Sequence, residues 1–415
     1  MFDHHPEPLG KLERLTQHLF LLALFSVCFS TALTNLFVGL SYISFVGVLA
    51  TSAPARRAAR SLPGMLALGL LALFIVGASW SVGPQADILL ALKKYSRLLV
   101  LPIGITLARR DGAMADRALR YFLAGAAVLA LSSYLVRFGL MPTSERGWWR
   151  VGDSRDAFAF RNHITIGIVL GYATMVCFLL ASYAKTASAR LAGVGAGVLF
   201  AIPILVLNQG RTGYVALFLG LVTLFLLRAR LTPLRTAAGL CAICLMFGTF
   251  YAASPNFKSR TDALIHDVST NDQHSPNGVR MSFMQTGFGA VLSHPLLGTG
   301  TGSFSEIYAP TAAKVWGAGT LMALVRHQPH SEFLLVAVQL GMLGLALYVG
   351  MLVTLGRSAL GPRTFARDNW ALLWIIYVST STFNSLLWDT TEAHWFLLLA
   401  GCLYVQCRQQ PHPTP

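Results

Sequence analysis

Three residues have types and settings that could do chemistry. Arg211 stands in Leu205-Val-Leu-Asn-Gln-Gly-Arg-Thr-Gly213, at the junction of two apolar runs. Arg280 stands in Ser275-Pro-Asn-Gly-Val-Arg280, near the start of an amphipathic helix with apolar positions Val279, Phe283, Val291 and Leu292, which ends at His294-Pro-Leu-Leu-Gly-Thr-Gly-Thr-Gly-Ser-Phe304. His330 stands in Arg326-His-Gln-Pro-His-Ser-Glu332, where Pro329 suits the first turn of the next helix. A guanidinium offers a planar fork of donors that matches phosphate oxygens. A histidine at a helix N-terminus close to arginines has its cationic form disfavoured, which leaves the neutral imidazole that a general base needs.

Each residue also has a plainer reading. Arg211 could be a snorkelling side chain at a membrane interface, although Gly210 and Gly213 allow the close backbone approach that a ligand site needs. Arg280 opposes the dipole of its own helix, a cost that a bound anion would reverse, yet a solvated surface arginine fits as well. His330 alone could be a structural junction residue. His327 is the alternative base, or a partner that positions His330.

The elements that must carry these residues follow from composition. Of 415 residues, 54% are hydrophobic and 12% are charged, against roughly 25% charged in a soluble domain. A water-soluble globule is excluded. Apolar runs fall at about 15–31, 34–50, 62–81, 90–108, 118–140, 163–183, 190–208, 212–228, 234–253, 331–355, 369–387 and 391–407. Each is close to the ~20 residues that cross a bilayer as a helix, and runs such as Leu62 to Trp80 are apolar all round, which argues against the alternating strands of a barrel. The net charge of +15 would suggest nucleic acid in a soluble protein. In a membrane protein it reads as the gathering of Lys and Arg in cytoplasmic loops.

Placing the N-terminus inside puts basic residues in every inner connection, among them Arg56, Arg57, Arg109, Arg110, Arg228, Arg230, Arg363 and Arg367. Both termini are then cytoplasmic, and the first span is retained rather than cleaved. The far-side cations gather in or beside just three stretches: 141–161, the Gly210–Gly213 turn and 254–330. Topology gives them no reason to be there, and a large anionic ligand would. Lys93 and Lys94, near the outer end of a helix, stand equally for contact with an anionic phosphate and for interfacial anchoring. The six cysteines all lie in apolar runs and read as packing. Asp389 and Glu392 form one acidic pair, short of the clustered oxygens that a hard divalent cation wants. No metal and no cofactor is expected. Gly298, Gly300 and Gly302 are like a phosphate loop only superficially, because no strand precedes them.

Together, the Gly210-Arg-Thr-Gly213 turn, the arginine that leads into His294-Pro-Leu-Leu-Gly-Thr-Gly-Thr-Gly-Ser-Phe304, and the His330-Ser-Glu-Phe-Leu-Leu335 start with Gly341-Met-Leu-Gly344 downstream resemble the O-antigen ligase and polymerase superfamily. Arg161-Asn-His163 is a weaker echo. The sequence departs from the family's usual pattern at Gly210, where Ser is common, and at Ser331, where Asn is frequent.

The resemblance implies an all-α, polytopic membrane protein of about twelve transmembrane helices, with a long periplasmic segment between the ninth and tenth spans. The organisation is a bundle over 1–253, a periplasmic segment over 254–330, and a region of about three spans with a short tail over 331–415. It also implies an inverting, metal-independent glycosyltransferase in the bacterial inner membrane, with its active site on the periplasmic face. The donor would be undecaprenyl-pyrophosphate-linked O-antigen and the acceptor a sugar hydroxyl of the lipid A core. Arg211, Arg280 and His330 match the essential positions, and Arg161, His163, Arg326, His327, Lys93 and Lys94 join them as substrate-binding candidates. The alternatives are an O-antigen polymerase of the same superfamily and, from another class, a transporter of an anionic lipid-linked glycan. The orientation is checked by reporter fusions: a fluorescent protein at the C-terminus should glow and alkaline phosphatase there should stay silent, and the opposite pair of results would invert the topology.

Overall fold

The structure is a computed structural model that describes residues 8–141, 151–153, 156–228, 232–270, 275–317 and 327–409. Its regular elements are helices: α1 (Lys11–Ser26), α2 (Thr31–Thr51), α3 (Ala53–Ala59), α4 (Leu62–Gly77), α5 (Gln85–Tyr95), α6 (Val100–Arg110), α7 (Met114–Arg137), α8 (His163–Tyr183), α9 (Ala187–Ile202), α10 (Arg211–Arg228), α11 (Pro233–Ala253), α12 (Pro255–Thr270), α13 (Pro276–Ser293), α14 (Phe304–Trp316), α15 (Glu332–Gly356), α16 (Phe365–Ser381) and α17 (Thr390–Gln409). Among the described residues, eight helical stretches are long and apolar enough to cross a membrane, and the only strand-like pairing is one bridge between Val151 and Ala159.

The apolar runs become helices where hydroxyl or amide side chains close their first turns. Ser30 accepts from the Leu33 N–H, Ser61 from Gly64, Asn162 from Thr165, Ser275 from Gly278 and Thr364 from Arg367. Each cap satisfies one of the donors that a helix start leaves open. The expected run 90–108 is split: α5 passes through a 3₁₀ turn at Ser96–Leu99 into α6. Small residues set the closest helix contacts. A Cβ on Gly167 of α8 would lie 2.5 Å from the Cα of Gly213 of α10, so these two helices meet backbone to backbone.

Interactions sort the helix ends into two groups. At one end Arg110 pairs with Glu13 at 3.0 Å, Arg109 donates to the Ala58 and Arg60 carbonyls, Gln406 donates to Asp116, and Arg228 and Arg367 flank Asp368 at 3.6 and 2.8 Å. This end contains the basic connections, and several of its cations have anionic partners. At the other end meet the α1–α2 turn, the α4–α5 connection, residues 156–163, the α9–α10 turn, the start of α15 and residues 384–392.

The second end is built around a break in α15. Gly341 has φ +62, so the helix is interrupted at its tenth residue, roughly 13 Å along its axis. The segment 295–303 fills the break. The Thr299 and Gly300 amides donate to the Val338 and Gln339 carbonyls at 2.8 and 2.9 Å, and the Met342 and Leu343 amides donate back to Pro295 and Leu296 at 2.8 and 3.3 Å. Gly298, Gly300 and Gly302 all have positive φ, and Thr301 donates through its amide to Gly77 and through its hydroxyl to Phe74. Irregular backbone at membrane depth is tolerated only when its polar groups are paired inside the protein, and here each strand of the junction pairs with the other. Helix α13, which leads into this segment, buries Phe283 but exposes Met281, Phe288 and Leu292, so its apolar residues are not confined to the covered face.

Gly300→Ala should be among the most damaging small substitutions in the chain. Its Cβ would lie 2.2 Å from the Ser81 Cα at φ +93, a conformation that alanine avoids. The expected loss is at least about 2 kcal/mol, read as a lowered unfolding temperature in detergent. Gly69→Ala, with nothing within 4 Å of its Cβ, should be neutral to slightly stabilising.

Candidate active site

Arg211 is the first residue of α10, and its position depends on how α9 ends. After Ile202 the chain makes a π-helical turn at Pro203–Leu207, an irregularity frequent at functional sites. The Pro203 carbonyl accepts from both the backbone and the side-chain nitrogens of the buried Asn208, at 3.0 and 2.9 Å. Gln209 is then held by Asp156, which accepts from its amide at 3.0 Å. A Cβ on Gly210 would sit 2.5 Å from the His163 carbonyl oxygen. The glycines of this turn, read from the sequence as room for a ligand, are used to seat α10 against α8. Arg211 leaves the turn half-buried, and the next residue, Thr212, accepts from Asn384 at 3.3 Å.

Arg280 lies in the second turn of α13 and is near enough to Arg211 for the two charges to repel. Burial, then the Arg211 guanidinium, hold its pKa below the ordinary arginine value. Like charges brought together in a partly desolvated place raise the free energy of the empty site, and a bound anion would lower it. At the opposite end of the bundle, Arg110, Arg117, Arg228 and Arg367 are each paired with a carboxylate.

His330 approaches the same helix. Its ring centroid is 5.9 Å from that of Phe283, which lies three residues after Arg280 and therefore on the same face of α13. Phe283 is fully buried and packs against Phe304 and Tyr308, with centroids at 6.0 and 4.6 Å. His330 has φ +55, unusual for a residue with a side chain, and its amide donates to Gln328 at 2.9 Å. Ser331 is the cap of α15. Pro329 therefore lies before the helix rather than in its first turn, and His330 is the residue just outside the cap.

Glu332, which the motif reading passed over, ties this junction to its surroundings. It is fully buried, accepts from the Leu387 and Trp388 amides at 2.8 and 3.2 Å, and accepts from the Tyr95 hydroxyl at 3.2 Å. A carboxylate opening a long apolar run was the available signal. Trp388 is a second such hub. Its carbonyl accepts from Lys94 at 3.0 Å and Arg97 at 3.1 Å, and its ring lies 4.7 Å from the Lys94 ammonium and is stacked on His327 with centroids 6.2 Å apart. His327 Nδ1 is 3.4 Å from Asp87.

The structure thus brings Arg211, Arg280 and His330 into one neighbourhood and puts His327 and Lys94 beside it around Trp388. Lys93 is exposed. Arg161 and His163 belong to a separate wall: Arg161 donates to Val27 and Thr31, and His163 lies 3.4 Å from Asp156. Arg326 lies outside the described residues.

Among the described residues, several membrane-long helices and a cationic pair beside a histidine at one end of the bundle are the features of a membrane protein with a candidate anion site. The model of the O-antigen ligase family matches residues 196–349, a stretch that contains all three residues and the glycine segment. Over this stretch, somewhat more than a third of the chain, the sequence is similar to that family. The comparison with curated proteins gave no match.

The paired arginines make a binding prediction that needs no catalysis. Inorganic pyrophosphate should raise the unfolding temperature of the purified protein at low salt. Arg280→Ala should weaken its apparent affinity about tenfold or more, since a charged hydrogen bond is worth about 1.5–3 kcal/mol. Arg357→Ala, at an exposed position of the opposite end, should leave it unchanged.

Proposed function

We propose that the protein transfers O-antigen from undecaprenyl pyrophosphate to a sugar hydroxyl of the lipid A core, completing lipopolysaccharide as an O-antigen ligase. The observation that carries this reading is that Arg280 is held close to Arg211 against their mutual repulsion, on the same helix face that meets His330. A diphosphate relieves that repulsion. In the reaction the acceptor hydroxyl attacks the anomeric carbon as the bond from that carbon to the diphosphate oxygen breaks. His330 takes the hydroxyl proton, and undecaprenyl pyrophosphate leaves with its new charge against Arg211 and Arg280. Single displacement inverts the anomeric carbon. The two guanidinium groups supply the positive charge that a metal would otherwise bring, an electrostatic contribution of several kcal/mol.

In this reading the chain crosses the inner membrane about twelve times with both termini in the cytoplasm, and the three residues face the periplasm. The carboxylate-paired cations of the opposite end support that orientation. His327 and Lys94, both against Trp388, would meet phosphate on the acceptor. The similarity of residues 196–349 to the O-antigen ligase family supports a lipid-linked glycan as substrate, and the choice of ligase over polymerase is our own.

Purified protein supplied with lipid-linked O-antigen and rough lipopolysaccharide should form the joined product without added metal. His330→Ala should reduce turnover by about 10²- to 10⁴-fold, the usual contribution of a general base, and near-normal turnover would remove His330 from that role. A deletion strain separates ligase from polymerase: loss of the ligase strands long polymer on its carrier, whereas loss of the polymerase leaves core capped by single units.

A further inference from the structure

Beside the α9–α10 turn, where Asp156 accepts from Gln209, lies a cavity of about 960 Å³, at the upper end of the roughly 300–1,000 Å³ usual for small-molecule sites. None of Arg211, Arg280 and His330 lines it. Its walls are the N-terminal ends of three helices with the residues that precede them: Phe29 to Leu33 at α2, Asp156 to Thr165 at α8, and Asp389 to Glu392 at α17.

The lining has a particular chemistry. Ser30, Thr31, Asn162, Thr390 and Thr391 bring uncharged hydrogen-bonding groups, and Phe29, Phe158 and Phe160 bring flat apolar rings. The charges offset one another. Three helix N-termini and Arg161 are positive, while Asp156, Asp389 and Glu392 are acidic. Such a wall has no strong preference for a free anion or a free cation. It suits a ligand with many hydroxyls and apolar ring faces.

Two further observations point to an occupant. Arg161 is anchored to the Val27 carbonyl at 2.9 Å and to the Thr31 hydroxyl, yet its Nε is buried without a partner among the described residues. Phe160 has φ +64, and strained backbone of this kind gathers at ligand sites. His330 and Phe160 are the two non-glycine residues with positive φ among the described residues, one beside Arg280 and one in this cavity. Asp389 lines the cavity, and among the described residues nothing donates to its carboxyl group. Burial and the neighbouring Glu392 raise its pKa, which the nearby Lys94 and Arg97 cations oppose.

We propose that this cavity binds uncharged pyranose units of a glycan, as a saccharide subsite separate from the cationic site. That the glycan belongs to one of the two transfer substrates rests on the proposed function; the binding of sugar does not. Core oligosaccharide from delipidated, dephosphorylated rough lipopolysaccharide and free O-antigen repeat oligosaccharide are the two probes, each followed by saturation-transfer NMR on the whole protein in nanodiscs. Binding of either supports the site, and the probe that binds identifies the source. Asp389→Asn should weaken that binding at least tenfold. Ala32→Trp, at an exposed position on the rim, should abolish it. Both variants should retain the pyrophosphate-induced rise in unfolding temperature, which shows that they are folded; if Asp389→Asn loses it, Ala32→Trp carries the test. If neither oligosaccharide binds, if a folded variant binds it unchanged, or if pyrophosphate displaces it, the proposal is overturned. A silent transfer assay with intact sugar binding would instead count against the ligase reading alone.

Discussion

The exchange of hydrogen bonds across the break at Gly341 is the constraint on which the rest of this end of the molecule depends. A helix interrupted inside a membrane bundle leaves carbonyls and amides that cost several kcal/mol each if unpaired. The carbonyls of Val338 and Gln339 and the amides of Met342 and Leu343 find their partners in residues 295–300. That pairing sets where α13 ends and α14 begins, so it also sets the face on which Arg280 and Phe283 stand. The same segment is bound to α4 through Thr301 and to the α4–α5 connection through Ser81 and Val82. The cationic helix is thus tied down at its C-terminal end by backbone bonds, and its charged end is left to meet Arg211.

Around this frame, the site is held mainly by groups that would not react. Asp156 and Asn208 shape the turn before Arg211; Glu332 fastens the residues after His330 to Leu387 and Trp388. Each is a polar group with fixed partners in a largely apolar setting, where such bonds are strong. Arg211 and Arg280 are therefore positioned by structure formed before any ligand arrives. Preorganisation of this kind is what allows fixed charge to act on a reaction without reorganising during it.

Much of this was legible in the sequence, and what was hidden was hidden for physical reasons. Long apolar runs announced the helices, because a span must be apolar. Arg211, Arg280 and His330 stood out because their residue types were costly where they lay. The break in α15 did not stand out. Periodicity sees Glu332 to Gly356 as one apolar helix, and a single left-handed glycine leaves that pattern intact. The glycines at 210 and 213 were visible, but not that α8 rather than a ligand would approach them. The saccharide cavity is assembled from three short stretches more than 100 residues apart, each an ordinary helix start by itself, so only the fold could join them.

The joint at Gly341 also bears on biogenesis. Residues 295–303 leave the ribosome well before residues 338–343, so while the chain is being threaded into the bilayer the first half of the joint exists without the second. During that interval its amides and carbonyls require water, which holds the segment outside the hydrocarbon. The joint can close only when α15 has been inserted and α4, made more than 200 residues earlier, is still free to receive Thr301. Assembly of the cationic end is therefore among the last events in the maturation of this chain, and a truncation after α14 would leave a set of inserted helices with no site.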